Sequence, residues 1–226
     1  MWHINCNLES QALAIFEELF SDCYSANELP EGWSIQRLDS ICTVKGGKRL
    51  PADSNLLDKA TDHHPYIRVR DIGNSRYVCL TNQFQYIDEE TYQAINRYTV
   101  NTDDIVISVV GILGLIGKIH ATLNNANWTE NCVKLTDVKS VTPDYLYYTL
   151  LMKKNRKEFE LLTVGAVQAK LPMYNIQAID IIVPPEKQIA KYQQIMNKFN
   201  NQIEASTMER QHLSELGSTL LSKLAG

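Results

Sequence analysis

The chain has 226 residues, of which 44% are hydrophobic and 21% charged, an ordinary composition for a globular protein that carries one good core and an appendage. No apolar run approaches the ~18–20 residues that cross a bilayer, and no basic-then-apolar leader opens the sequence, so we expect a cytoplasmic protein without membrane contact. The five cysteines are scattered and form no C-x-x-C pair, which argues against a disulfide framework or a zinc site.

The net charge of −4 is unevenly distributed along the chain. Residues 1–33 contain six acidic residues and no Lys or Arg, so the remainder carries a net charge of +2. Basic residues cluster between 45 and 76 and again between 153 and 157. Because charge contacts act within a Debye length of about 8–10 Å, a basic patch on an acidic protein can still bind phosphate. The overall charge therefore does not exclude nucleic acid.

The first segment has the periodicity of a helix. Its apolar residues form one broad face, which predicts a helix over residues 7–24 that ends before the turn-forming stretch 27–32. We assign residues 1–28 to this N-terminal helical segment. It is a candidate partner for the long helix at the other end of the sequence.

Residues 29–183 read as one α+β domain with a twisted β-sheet and short helices. Apolar and charged residues alternate over 66–72, which predicts a half-buried strand that projects Arg68 and Arg70 from one face. A buried strand is expected over 104–110, a glycine turn before Lys118, a helix from Pro143, and a last strand over 176–183.

Residues 184–226 predict one long C-terminal helix that starts beside Pro185. Some 39 residues would span about 58 Å, longer than a small domain is wide, so we expect the helix to need another long helix beside it. The alternative is an amphipathic helix folded back on its own domain. The apolar seam, spaced as in a coiled coil and proposed for partner docking, comprises Ile189, Tyr192, Met196, Phe199, Ile203, Leu213, Leu216 and Leu220.

Several residues have the chemistry of DNA contacts. Glycines beside cationic side chains let a backbone approach phosphates, and Arg or Gln side chains can form paired hydrogen bonds with guanine or adenine. Each residue taken alone is also compatible with an ordinary surface. The candidate DNA-binding residues are Lys45, Gly46, Gly47, Lys48, Arg49, Arg68, Arg70, Lys118, Gln168 and Lys170.

The sequence predicts no catalytic residue, metal site or cofactor. The glycines before Lys118 loosely resemble a phosphate loop, but Ile119 stands where such a loop requires Ser or Thr, so a tight hairpin is the better interpretation. A nucleophilic Cys/His pair has no local signature in this sequence.

Several stretches together resemble the specificity subunit of type I restriction-modification enzymes. Each is weak alone, and their order and spacing carry the resemblance across essentially the whole chain. They are 7–16, Leu29-Pro30-Glu31-Gly32-Trp33, Lys45-Gly46-Gly47, 66–72, 103–108 with Gly111, Ile116-Gly117-Lys118, Gly165 with Gln168, and Ile182-Val183-Pro184-Pro185 with Gln188.

The resemblance implies a non-catalytic subunit that reads double-stranded DNA and directs a separate methyltransferase (modification) subunit to its target, with a translocating restriction subunit as a further partner. Family members usually carry two recognition domains separated by two conserved helical regions. This sequence has one domain and one complete long helix, and residues 7–16 resemble the tail of a preceding helical region. The resemblance therefore implies a half-length form that pairs with a second copy, or with another half-subunit. A second copy would make the target an interrupted palindrome.

Two other functions remain open at this point. One is a protein-interaction adaptor that uses the same fold without reading DNA. The other is a hydrolase built on a Cys/His pair.

Overall fold

The structure is a computed structural model that describes residues 2–26, 28–58, 64–72, 75–165 and 169–224. The helices are α1 (Trp2–Ser25), α2 (Leu38–Ile41), α3 (Glu89–Ile95), α4 (Pro143–Leu151), α5 (Lys153–Leu161), α6 (Met173–Gln177) and α7 (Glu186–Leu224). The strands are β1 (Ser34–Arg37), β2 (Thr43–Gly46), β3 (His64–Ile67), β4 (Tyr77–Val78), β5 (Tyr86–Ile87), β6 (Ile105–Ser108), β7 (Ile116–Ile119), β8 (Asn127–Trp128), β9 (Cys132–Thr136) and β10 (Asp180–Val183).

The strands form three small sheets. A five-stranded sheet has the order β2-β9-β6-β7-β4, a three-stranded sheet has the order β5-β3-β8, and β1 pairs with β10. Most neighbours are antiparallel, while β4 with β7 and β3 with β8 are parallel. These sheets, with short helices between them and two long helices beside them, confirm the predicted α+β class.

The β1–β10 pair brings the two long helices together. Ser34 lies opposite Val183, so the chain enters the domain from α1 and leaves it into α7 at neighbouring points. Gly32, with a φ of +82°, turns beside Pro185, where an added Cβ would lie 3.2 Å from the proline ring. The left-handed conformation and this close approach together favour glycine.

The first half of α7 packs against its own chain. Of the predicted seam, Ile189, Tyr192, Met196 and Ile203 are buried, and Phe199 is partly buried against the same core. They pack on α1 and α4, so the long helix that the sequence predicts beside this part of α7 is α1 of the same chain. The helix α1, from the far end of the sequence, covers this part of the seam. The sequence indicated α1 only as a candidate neighbour of the long helix.

The two long helices run antiparallel, and the described seam residues near the end of α7 are exposed. Leu8 near the start of α1 clusters with Phe199 and Ile203, whereas Phe20 near its end packs on Tyr192, so the two helices are antiparallel. Beyond Thr207 the seam residues are exposed. Their exposed fractions are 43% for Leu213, 45% for Leu216 and 60% for Leu220.

Local structure departs from prediction at two strands. The strand expected over 176–183 begins only at Asp180, and Met173–Gln177 form the helix α6. The strand expected over 66–72 ends at Ile67, and Val69–Asp71 form a short 3-10 helix. The Asp71 carboxylate accepts from the Arg68 backbone amide at 2.8 Å, which turns the chain out of the extended conformation.

Among the described residues, none of the helices combines the length and apolarity that crossing a membrane requires.

The aromatic cluster between α1, α4 and α7 yields a stability prediction. Phe16 is fully buried, with ring centroids 4.9 Å from Phe20, 5.3 Å from Tyr145 and 5.6 Å from Tyr192. Phe16→Ala should lower the free energy of unfolding by about 3–5 kcal/mol in urea titrations, because it leaves a cavity. Leu19→Ala, on the exposed side of the same helix, should cost about 0.5 kcal/mol; equal effects would contradict this packing.

Candidate DNA interface

Residues 45–49 form an exposed basic segment at one edge of the five-stranded sheet, hereafter the basic segment. Lys45 lies on β2, and Lys48 and Arg49 follow it, all three exposed. The Gly47 amide donates to the Cys132 carbonyl at 3.1 Å and the Lys48 amide to the Trp128 carbonyl at 3.0 Å. The segment is therefore held by backbone bonds while its cationic side chains face solvent.

The two glycines of the basic segment differ in their surroundings. An added Cβ at Gly47 would overlap the carbonyl of Thr129, whereas Gly46 has open space around it. Gly47 thus permits close packing of the segment on the β8–β9 connection. Gly46 leaves room for an approaching phosphate. The sequence analysis expected this of both Gly46 and Gly47.

Arg49 is held by one carboxylate. Its Nε donates to Glu130 Oε1 at 2.6 Å, and its side chain is 81% exposed. Burial tends to raise the pKa of Glu130, but its bonds to Arg49 and Thr129 outweigh that effect, so the pKa is lowered. Glu130 is therefore ionised at neutral pH and orients the guanidinium.

Arg68 and Arg70 do not share one face of a strand, because they lie at the 3-10 helix. Arg68 is largely buried, with its guanidinium bonded to Asp71 and Gln85. Arg70 is 61% exposed, and its Nε lies 3.8 Å from Asp71 Oδ1. Arg70 is thus exposed and stays a candidate DNA contact, while the bonds of Arg68 hold the turn.

Lys118 lies in the interior, not at the surface. Its side chain is 5% exposed, and its Nζ lies 2.7 Å from Asp144 Oδ1 and 2.8 Å from Asp103 Oδ1. All four residues of β7 are buried, including Lys118. The prediction that Lys118 contacts DNA was therefore wrong, because its ammonium group is buried and forms ion pairs with two carboxylates.

Asp144 is the centre of a buried polar cluster, hereafter the Asp144 cluster. Oδ1 accepts from Lys118 and from the fully buried Arg76, while Oδ2 accepts from Gln193 at 2.7 Å and Asn200 at 2.5 Å. Arg76 also donates to Asn200 at 2.5 Å. The cluster thus joins the β4 end of the sheet, β7, α4 and the long helix α7.

The two cations of the Asp144 cluster stabilise the ionised form of the Asp144 carboxyl group. Burial alone would raise the pKa of Asp144, but Arg76 and Lys118 more than offset it, so the pKa lies well below its usual range. The Arg76 guanidinium also lies over three aromatic rings, 5.2 Å from the centroid of Tyr77, 5.6 Å from that of Tyr147 and 5.3 Å from that of Tyr148. Aromatic faces and a carboxylate together stabilise a cation that is removed from water.

The remaining predicted loop is only partly described. Gln168 lies outside the described residues. Lys170 is exposed, and its backbone forms bridges to Val110 and Val164, which places it beside the glycine turn that follows β6. The Val109 amide donates to the Asn131 carbonyl at 2.8 Å, and the Val109 carbonyl accepts from the Leu171 amide at 3.0 Å, so backbone bonds connect the Lys170 loop to the residue that follows Glu130.

Two buried cysteines lack the chemistry that the hydrolase alternative requires of its nucleophile. Burial raises the pKa of both Cys42 and Cys132 to about 12, so neither provides a thiolate nucleophile near neutral pH. Within the described ranges, no group of three or more His, Cys, Asp or Glu side chains is arranged to hold a metal ion.

Sequence reasoning missed two features of this site. Glu130 was not singled out, because its partner Arg49 lies 81 residues away. Asp144 was interpreted only as part of a helix start. The signal that could have revealed its cluster is the polar pair Gln193 and Asn200, which are seven residues apart and therefore share one side of α7, beside the apolar seam.

These features define a mixed α/β domain with a basic edge, fixed to a pair of antiparallel long helices. The family described as "Type I restriction modification DNA specificity domain" matches residues 30–216. That match covers most of the sequence, and the chain belongs to this family of type I restriction-modification specificity proteins.

Relatives and solved structures agree with the assignment. The MjaIX type I restriction enzyme specificity subunit of Methanocaldococcus jannaschii is 21% identical over 230 residues, covering 96% of this chain and 52% of the relative. The S subunit from M. genitalium has a TM-score of 0.61 at 18% identity, covering 98% of this chain and 54% of that one. The HsdS subunit from Thermoanaerobacter tengcongensis has a TM-score of 0.57 at 17% identity, covering 98% and 51%. The fold is shared, and the chain spans about half the length of each.

The Asp144 cluster predicts a pH-dependent stability difference. Asp144→Asn leaves Arg76 and Lys118 buried with less negative charge, and should cost about 3–5 kcal/mol of unfolding free energy at pH 7. Because the folded pKa of Asp144 is lowered, its stabilisation is full above the unfolded pKa of about 4 and disappears as pH falls toward the folded value.

Urea unfolding of wild type and Asp144→Asn at a series of pH values measures this difference, which should narrow below about pH 4. The same change at exposed Asp53 should alter stability by about 0.5 kcal/mol or less at neutral pH. A gap between wild type and Asp144→Asn that stays constant as the pH falls would contradict the assignment of charge to Asp144.

Proposed function

We propose that this chain is the DNA-reading part of a type I restriction-modification assembly and carries no catalytic step itself. It would place a methyltransferase subunit, and a translocating restriction subunit where one is present, on a chosen double-stranded sequence. The observation that carries the proposal is the exposed basic segment on the rigid sheet edge of a specificity-family domain. The candidate DNA contacts are Lys45, Lys48 and Arg49 of the basic segment, Arg70 of the 3-10 helix, and Lys170 on another loop.

A second recognition domain would complete the reader. The chain spans about half of its relatives, and three leucines of α7 remain exposed beyond the part that packs on α1. Apolar side chains at three- and four-residue spacing are typical of a helix that packs on another helix. A second copy of this chain would form a two-fold pair and read an interrupted palindrome, whereas another half-subunit would give two different half-sites.

DNA reading predicts sequence preference together with a salt dependence. The purified chain with its methyltransferase subunit should enrich defined sequences from randomised duplex DNA. The logarithm of its affinity should fall linearly with the logarithm of salt concentration, as phosphates exchange counterions for cationic side chains. Lys45→Ala should reduce that slope by about one unit if Lys45 contacts a phosphate, measured by fluorescence anisotropy.

The matched control is Lys187→Ala, which removes an exposed lysine of α7 and should leave the slope unchanged. Binding without sequence preference, in the presence of the methyltransferase subunit, would instead favour the adaptor function.

The exposed part of α7 predicts an association surface. Leu216→Asp combined with Leu220→Asp should convert a self-associated chain to the monomer, or release another half-subunit, because charge would be buried in an apolar contact. The melting temperature of the domain should change little, since both residues are exposed. Gln202→Asp with Asn201→Asp adds the same two charges on an exposed part of the same helix and should preserve association. Light scattering measures the mass, and identical masses for all variants would exclude this surface.

A further inference from the structure

Arg49 has an arrangement that distinguishes it from other arginines of the chain. The bond to Glu130 uses Nε alone, so within the described residues the two terminal nitrogens of the guanidinium stay unoccupied. Guanidinium is planar, so fixing Nε also fixes the plane in which these two nitrogens lie. A side chain that is 81% exposed is thereby held in one direction by a charged hydrogen bond.

Both ends of the Arg49–Glu130 pair rest on one backbone frame. The Lys48 amide donates to the Trp128 carbonyl, and the Lys48 carbonyl accepts from the Tyr66 hydroxyl at 2.7 Å. On the other side, Glu130 Oε2 accepts from the Thr129 hydroxyl at 3.1 Å. The pair is thus attached to the β8–β9 connection at both residues, which limits the rotation of the arginine.

Arg49 differs from other exposed arginines because a carboxylate holds its Nε while both terminal nitrogens stay free. Arg70 is also exposed, but its Nε lies 3.8 Å from Asp71 Oδ1, too far for a hydrogen bond that would fix its plane.

Arg37 is 55% exposed, but Asp39 accepts from both its Nε, at 3.1 Å, and its Nη2, at 2.7 Å. Arg68 is bonded to Asp71 and Gln85 and is largely buried. Arg37 therefore provides a matched control that is also exposed and paired with a carboxylate, yet has only one terminal nitrogen free.

We propose that Arg49 reads a guanine in the major groove, with Nη1 and Nη2 donating to O6 and N7, and that Glu130 is the positioning residue that sets the guanidinium plane. This inference rests on the proposed DNA-reading function and names a specificity-determining residue within it. Guanine presents two acceptors side by side in the major groove, which match the two parallel donors of an arginine. Glu130 touches no base in this arrangement, and acts only through Arg49.

The adjacent lysines have a different role. Lys45 and Lys48 carry point charges on flexible stems, without the planar pair of donors, so they attract phosphates in any sequence. They bring the segment to the duplex, and Arg49 then distinguishes one base pair. Loss of Arg49 should therefore affect one position of the target, whereas loss of a lysine should affect every sequence.

The test compares base preferences of four proteins, each bound to its methyltransferase subunit and selected on randomised duplex DNA. Arg49→Lys keeps the charge but loses the paired donors, and should lower discrimination for one guanine by about 10-fold to 100-fold. Preferences at the other positions, and affinity for unselected duplexes, should remain. Glu130→Gln should weaken preference at that same guanine, and Arg37→Lys should leave the whole profile unchanged.

Two results would overturn the assignment while leaving DNA reading intact. One is a wild-type profile that Arg49→Lys reproduces at every position. The other is an equal loss of affinity on all duplexes with Arg49→Lys, which would make Arg49 a phosphate contact. A wild-type protein without any base preference would instead remove the DNA-reading function itself. Circular dichroism of the variants verifies that the exposed substitutions leave the fold unchanged.

Discussion

The architecture depends on one buried carboxylate between two buried cations. Asp144 accepts from Arg76 and Lys118 on one oxygen and from Gln193 and Asn200 of α7 on the other. Removing charges from water is costly unless partners compensate them, and here both oxygens of the carboxylate are occupied. Because the donors come from the sheet and from α7, this cluster fixes the long helix relative to the domain in a way that apolar contacts alone, which are non-directional, cannot.

The order of the five-stranded sheet connects that cluster to the candidate DNA interface. β4 and β7, next to Arg76 and Lys118, lie at one side of the sheet, while β2 and β9 lie at the other. The basic segment follows β2, and Glu130 precedes β9. The Asp144 cluster and the basic segment therefore lie toward opposite edges of one hydrogen-bonded sheet, which connects α7 to these candidate DNA contacts. A specificity protein needs such rigidity, because base contacts require side chains to be held in place.

Much of this fold could be predicted from the sequence, and the failures have physical causes. Periodicity was sufficient for α1 and α7, because long amphipathic helices repeat a pattern over many turns. It failed after Ile67, where alternating apolar and charged residues imitate a strand but Asp71 captures the Arg68 amide. It also failed at Lys118, since burial of a lysine depends on carboxylates that lie elsewhere in the sequence. The sequence predicted that another long helix lies beside α7. Identifying that helix as α1 required knowing how the two ends of the chain meet.

The candidate site was predictable only as a neighbourhood. Glycines and cations marked residues 45–49, but exposure of Arg49, its bond to Glu130 and the burial of Lys118 are properties of the folded chain.

The most direct measurement of the DNA-reading account is acetylation footprinting of the chain with and without a selected duplex. The account predicts that the duplex protects Lys45 and Lys48 and leaves Lys187 and Lys198 of α7 reactive. Protection confined to the α7 lysines, with Lys45 and Lys48 equally reactive in both states, would contradict it.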